Sequence, residues 1–310
     1  LDPDITNGKF NEKNTELEKQ YLLDTIDAEI NDKRTYATIR CKDVMCAEEL
    51  CSIKKYGYRE DAMKITPESA AKAYEELLRT ARVEIMFEGC GDPTLAKDIF
   101  AQKFAGVKRE PIVLSKSLMK AQRGAVKEET ERMDVKQGKL VMGFRVEGIE
   151  DYRRMNMARI TFALFGGTAN SLLFKNVREK MSLCYYCSSG YDRSNSIMMV
   201  SSGVEAENAQ KARDEVLHQL EMLKNGEFTD RELEETKLFI RTALMATSDS
   251  LGAMDSWYLA QTVGGSEVSP DMEIELSAQV SREDVIWVAN HTHLDTVYML
   301  MPNENQKEAE

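Results

Sequence analysis

Apolar residues along the chain recur mostly at helical spacing. Ala209, Ala212, Val216, Leu220 and Leu223 form one stripe, which predicts an amphipathic helix ending near Asn225-Gly226. Helix starts are marked as well. Thr15-x-x-Glu18 and Thr229-x-x-Glu232 read as capping boxes, in which side chains satisfy the first free amides of a helix. Thr66-Pro67, Asp92-Pro93 and Ser269-Pro270 each place a cap residue before a proline at the first helical position. Strand signals are fewer. Val83–Phe87 and Leu140–Val146 show mixed alternation, and Ile197–Val200 and Val297–Met301 read as buried strands. The mixture predicts an α+β fold with helices covering antiparallel or mixed sheets.

The stretch from Gly106 to Lys139 breaks this pattern. It is polar and charged, with Lys127-Glu128-Glu129-Thr130-Glu131-Arg132, and reads as an interdomain linker leading into the first strand of a second domain. A weak repeat spans it. Ile65-Thr66-Pro67-Glu68-Ser69 opens a helix leading to a strand, and Val280-Ser281-Arg282-Glu283-Asp284 does the same 215 residues later. Gly8-Lys9-Phe10 and Gly226-Glu227-Phe228 form a second pair that needs small gaps. Two related domains are therefore expected: the C-terminal part of a first one over residues 1–108, truncated at its N-terminus, and a second one over 109–310, linker included.

Composition narrows the function. At 310 residues, 42% hydrophobic and 30% charged, the chain has a globular balance. A formal charge of -12 argues against a general binder of nucleic acid or anionic membranes, though not against a local basic patch. No run approaches the roughly 20 apolar residues that span a bilayer, and Leu1-Asp2-Pro3-Asp4 does not resemble a signal peptide. Six cysteines are too few for a disulfide scaffold, so reduced thiols and a cytoplasmic location are expected.

Few residues suggest chemistry by themselves. The histidines are His218, His291 and His293, and no His-Glu-x-x-His or His-x-x-Glu-His occurs. His291 and His293 could share a strand face, but no third ligand is evident, and His218 sits on the solvated side of a helix. Cys184-Tyr-Tyr-Cys187 has redox or zinc-knuckle spacing but falls within a strand rather than opening a helix. Cys41, Cys46 and Cys51 do not share a helical face and read as structural thiols. Glycine-rich phosphate-binding motifs are absent.

The densest stretch runs from Leu164-Phe165-Gly166-Gly167-Thr168 through Ser171-Leu172-Leu173-Phe174 and Arg178-Glu179-Lys180 to Leu183-Cys184-Tyr185. Gly203-Val204-Glu205, Gly226-Glu227-Phe228-Thr229 and Glu232-Leu233-Glu234-Glu235 follow it. Together these resemble the second-domain signature of the insulinase-like zinc peptidases, the group that includes pitrilysin and the mitochondrial processing peptidase. In that family an Arg and a Tyr seven residues apart, on the half without zinc, reach the substrate. The resemblance implies that role for Arg178 and Tyr185, with Cys184 departing from the usual Gly or Ala. It also implies zinc held by two histidines and a distal Glu of the first domain. Here the distal position carries Thr25, a poor zinc ligand, with Glu29 one turn later and out of spacing. Ile30–Ala37, Arg40-Cys41 and Leu294–Tyr298 look like the bacterial zinc-less partner of two-chain members.

The resemblance thus implies a subunit inactive alone, without cofactor, that grips an extended peptide substrate. It would form a heterodimer with a zinc-bearing peptidase subunit of the same family. A C-terminal portion of a complete zinc endopeptidase and a structural or assembly protein of the same fold are the alternatives.

Overall fold

The computed structural model describes residues 3–113 and 124–303, so part of the expected linker, residues 114–123, lies outside the described residues. The chain divides into two units, Leu1–Asn31 with Ile53–Lys116, and Asp32–Ser52 with Ser117–Glu310.

In the first unit a short antiparallel ribbon, β1 (Ile5–Thr6) and β2 (Lys9–Phe10), leads into α1 (Glu12–Ala28). Its cap differs from the sequence expectation. Asn11, not Thr15, accepts from the Asn14 amide, and the Thr15 hydroxyl turns back onto the Asn11 carbonyl at 2.9 Å. The ribbon ends at Phe10, so Asn11 is where extended backbone gives way to helix, and a cap works only at that junction. The next helix, α2 (Lys33–Met45), belongs to the second unit. The first continues with α3 (Arg59–Ala62), α4 (Pro67–Thr80) and α5 (Pro93–Phe104). Thr66 and Ser69 cap α4 reciprocally, and Asp92 caps α5 through the Thr94 amide.

Val83–Phe87 is not a strand. The segment has no partner strand among the described residues, and its apolar side chains stay 37–46% exposed. Alternation specifies a face, but a strand also needs a neighbour for its amides and carbonyls. The repeat is therefore visible in its capped helices and not in the strand that should follow the first of them.

The second unit is built on one mixed sheet in the order β3-β7-β4-β6-β5. Its strands are β3 (Lys127–Met133), β4 (Gly138–Val146), β5 (Cys184–Asp192), β6 (Ile197–Val204) and β7 (Thr292–Pro302). β3 runs parallel to β7, and the other pairs are antiparallel. The charged run expected to be linker is in fact the edge strand β3. Charge on an edge strand discourages pairing with other chains, and such a strand shows no apolar alternation to read. Its Glu131 is held from inside, accepting from Tyr36 at 2.8 Å and Tyr298 at 2.6 Å.

Helices α6 (Tyr152–Phe162), α7 (Ala209–Lys224), α8 (Asp230–Met245), α9 (Leu251–Gly264), α10 (Pro270–Ala278) and α11 (Arg282–Asn290) complete the unit. Leu140, Met142, Phe144 and Val146 of β4 join the main core together with the predicted stripe of α7. Val141, Tyr298 and Leu300 face the other way, onto Ala37 and Cys41 of α2. Both faces of β4 are buried, which is why its sequence lacks clean alternation. The Thr229–Glu232 capping box of α8 is reciprocal, as is Ser281–Asp284 before α11. No helix of the described residues is long and apolar enough to cross a membrane.

Candidate functional site

Two wide helical turns and one irregular strand build a pocket of about 390 Å³ in the second unit. The first turn, Ala163–Gly167, continues α6 with π-type bonding, and the second covers Phe174–Lys180. Such turns recur at functional places, where the extra residue per turn redirects side chains. Gly166 lets the first turn lie against β5, because a Cβ there would meet the Ser189 nitrogen at 2.7 Å.

Arg178 sits in the second turn. Its guanidinium lies over the Phe174 ring, 4.6 Å from the centroid, a cation–π contact that fixes direction without neutralising charge. No ion pair with Glu179 or Glu207 forms, and among the described residues Arg178 has no carboxylate partner.

Tyr185 owes its position to a β-bulge. The register of β5 against β6 shifts between Cys184 and Tyr186, leaving Tyr185 as the extra residue. A bulge re-aims a side chain that a regular strand would pack. Tyr185 is accordingly 65% exposed and lines the same pocket as Arg178.

The bulge also reverses the parity of the strand, so Cys184 and Cys187 both face the main core. Cys184 is pushed down to about 7, chiefly by a hydrogen bond from the Cys187 thiol; the Ser202 hydroxyl and the Arg178 charge add to this, and partial burial opposes it. Cys187, buried and donating, is pushed well up. Cys184 should therefore be the thiol that iodoacetamide modifies fastest at pH 7, with a rate that rises as pH passes through about 7 and levels above it. Cys187→Ala should remove the donor, raise the Cys184 value and slow the reaction at pH 7. Peptide mass mapping reads both, and a Cys184 no faster than the exposed Cys90 would contradict the assignment.

Sequence reasoning missed Arg34, which reaches the same pocket from the first turn of α2. Its distance along the chain from Arg178 left no local signal.

The expected metal-site residues lie elsewhere. Thr25 is exposed on α1 and donates its hydroxyl to the Tyr21 carbonyl at 2.7 Å. His218 is exposed on α7. His291 caps α11, its Nδ1 2.7 Å from the Trp287 carbonyl, and His293 points toward Glu147 at 3.9 Å. These residues make no zinc ligand set. One cluster that the sequence reading left as separate thiols does form: Cys46, Glu49 and Cys51 bring their ligand atoms within 4.8 Å of one another. It suits a cation poorly. The Arg145 guanidinium donates to both Glu49 oxygens, at 3.1 and 2.5 Å. Burial, with Cys51 beside it, pushes the Cys46 thiol up to about 12, keeping it protonated.

Comparison with known proteins adds to this geometry. The family description "Peptidase M16 inactive domain" matches residues 64–238, more than half of the chain. The Bacillus subtilis protein "Probable inactive metalloprotease YmfF" is 26% identical over 302 residues, covering 97% of this chain and 71% of its own length. An uncharacterized zinc protease of Rickettsia bellii is 25% identical over 173 residues, 51% of this chain and 39% of that protein. Among solved structures, a conserved protein from Enterococcus faecalis V583 superposes with a TM-score of 0.88 at 24% identity, over 97% of this chain and 71% of its own. A peptidase M16 inactive domain from Pseudomonas fluorescens gives 0.78 at 20% identity, over 95% and 72%. At such identities these structural likenesses speak for the α+β fold.

Proposed function

The chain belongs to the M16, insulinase-like, peptidase family and carries its inactive domain, and from that premise we propose that it is the zinc-less, peptide-gripping member of a two-chain peptidase. The observation that carries this reading is the shared pocket. Arg178, without a carboxylate partner among the described residues, and Tyr185, turned outward by a bulge, line one open cavity next to the edge strand β5. A guanidinium can hold a peptide carbonyl, and a phenol can donate to an oxygen on which charge develops. As an edge strand, β5 can add an extended peptide where the Ala163–Gly167 turn does not cover it. In this reading residues 109–310 are the second peptidase-like domain, and 1–108 the C-terminal part of the first. The zinc and its general base belong to a partner chain of the family, since Thr25 stands where a distal ligand would be needed. The six free cysteines suit a reducing, cytoplasmic setting.

The test is reconstitution. The chain is copurified from its source cell, zinc is measured in each component, and hydrolysis of an unstructured peptide is followed. The reading expects zinc and activity only in the assembled pair. Stoichiometric zinc on the isolated chain, or hydrolysis by it alone, would overturn it.

A further inference from the structure

The pocket holds a second guanidinium, Arg34, whose neighbours fix its position without forming an ion pair with it. Tyr186, the residue after the bulge, pairs in register with Gly203 of β6. Its ring lies against that glycine, since a Cβ at position 203 would meet the ring at 2.6 Å. Arg34 stacks on the ring, 4.2 Å from the centroid, and its Nη2 donates to the Ser188 hydroxyl at 2.9 Å. The adjacent acid, Asp32, feels the Arg34 charge but makes no ion pair with it: it accepts from the amides of Arg34 and Thr35 as the cap of α2, and from the Thr35 hydroxyl at 2.6 Å. Among the described residues Arg34 has no carboxylate ion-pair partner.

The surroundings sharpen the contrast. The chain carries 53 acidic residues and a net charge of -12, yet the described residues that line the pocket include two arginines and no Asp or Glu. Lys139 is close enough to feel Arg34: burial chiefly, and then the Arg34 charge, pushes its pKa down, against Glu205 and Asp32, which raise it. A cation-lined hollow on an acidic surface collects anions from a solution the rest of the molecule repels. Planar guanidinium forks match carboxylates in particular.

We infer that Arg34 is a specificity residue of the peptide site and recognises a carboxylate of the bound peptide, either an acidic side chain or the chain's C-terminus, beside the carbonyl that Arg178 holds. The inference rests on the peptide-gripping reading above and adds to it the charge class of the substrate. Phe174 and Tyr186 hold the two forks in place before the peptide arrives, so little side-chain freedom remains to be lost on binding.

The test uses the full chain and fluorescence anisotropy. The probes are ten-residue, neutral, C-terminally amidated peptides, each carrying one Glu in place of Gln at successive positions, with a free-acid version of the neutral peptide. Glu at one or two positions should tighten binding about tenfold at low salt, and the gain should shrink as salt is added. Arg34→Ala should erase the gain while the neutral peptide still binds, and Arg34→Lys should keep part of it. A gain confined to the free-acid peptide assigns the carboxylate to the C-terminus instead. Equal binding of acidic, free-acid and neutral peptides would overturn the inference and leave the peptide-gripping reading standing. So would an undiminished preference in Arg34→Ala. Binding of none of the peptides would overturn both.

Discussion

Tyr185→Phe should lower the peptide-cleaving rate of the assembled pair about a hundredfold, the usual loss for one donor aimed at a developing oxyanion. The melting temperature of the chain should hardly move, because the hydroxyl belongs to a side chain that is 65% exposed and a surface change away from caps and core costs little. The kinetic pattern should separate the two residues. A phenol that donates only to the transition state lowers kcat, whereas a guanidinium that already holds the ground-state carbonyl raises KM when removed. Arg178→Ala should therefore act mainly on KM, and Arg178→Lys should recover charge without the planar fork. Cleavage unchanged in both variants would mean that the pocket is a structural feature of an assembly protein, and that the bulge serves packing alone.

The outcome depends on features of unequal legibility in the sequence. Caps and stripes are local, so α4, α5, α7, α8 and α10 could be placed from Thr66, Asp92, the Ala209–Leu223 stripe, Thr229 and Ser269. Pairing is not local, and there reading failed in both directions. Val83–Phe87 has the alternation of a strand and no partner strand among the described residues, while Lys127–Met133 has none of it and still pairs with β7. Arg178 and Tyr185 were singled out only through the resemblance that the stretch from Leu164 to Tyr185 carries. The extra residue that turns Tyr185 outward was not, since a bulge is a property of two strands in register. Arg34 was hidden for a third reason. It stands on a helix that crosses to the sheet of the second unit, and nothing near it in sequence announces that crossing. The Cys46–Glu49–Cys51 cluster depends likewise on a tight turn after α2 that no spacing rule describes.

That turn is anchored by a nearly inaccessible charge cluster, and Asp295→Ala should destabilise the second unit clearly, by about 2–3 kcal/mol. Arg145 donates from Nε to Asp295 at 2.8 Å and from Nη2 to the Met45 carbonyl at 3.0 Å. The side chains of Arg145, Asp295 and Glu49 are 7%, 4% and 9% exposed. Burial opposes the Arg145 charge, but the Glu49 and Asp295 carboxylates outweigh it and hold the guanidinium protonated more firmly than usual. Removing Asp295 leaves the Arg145 charge paired with Glu49 but strips the buried Nε of its acceptor, and an unmet donor in a medium that screens poorly is a worse state than having no polar groups there at all. The combined change of Arg145→Met, Asp295→Leu and Glu49→Leu should accordingly cost less than Asp295→Ala alone. Denaturant melts would show the order, with a drop of roughly 10 °C in melting temperature for the single variant. A loss below about 1 kcal/mol would mean that water reaches the cluster. The cluster ties β4 and β7 to the C-terminal end of α2, whose first turn carries Arg34. Loosening it should therefore weaken the preference for acidic peptides at temperatures where the chain is still folded, although Asp295 does not line the pocket.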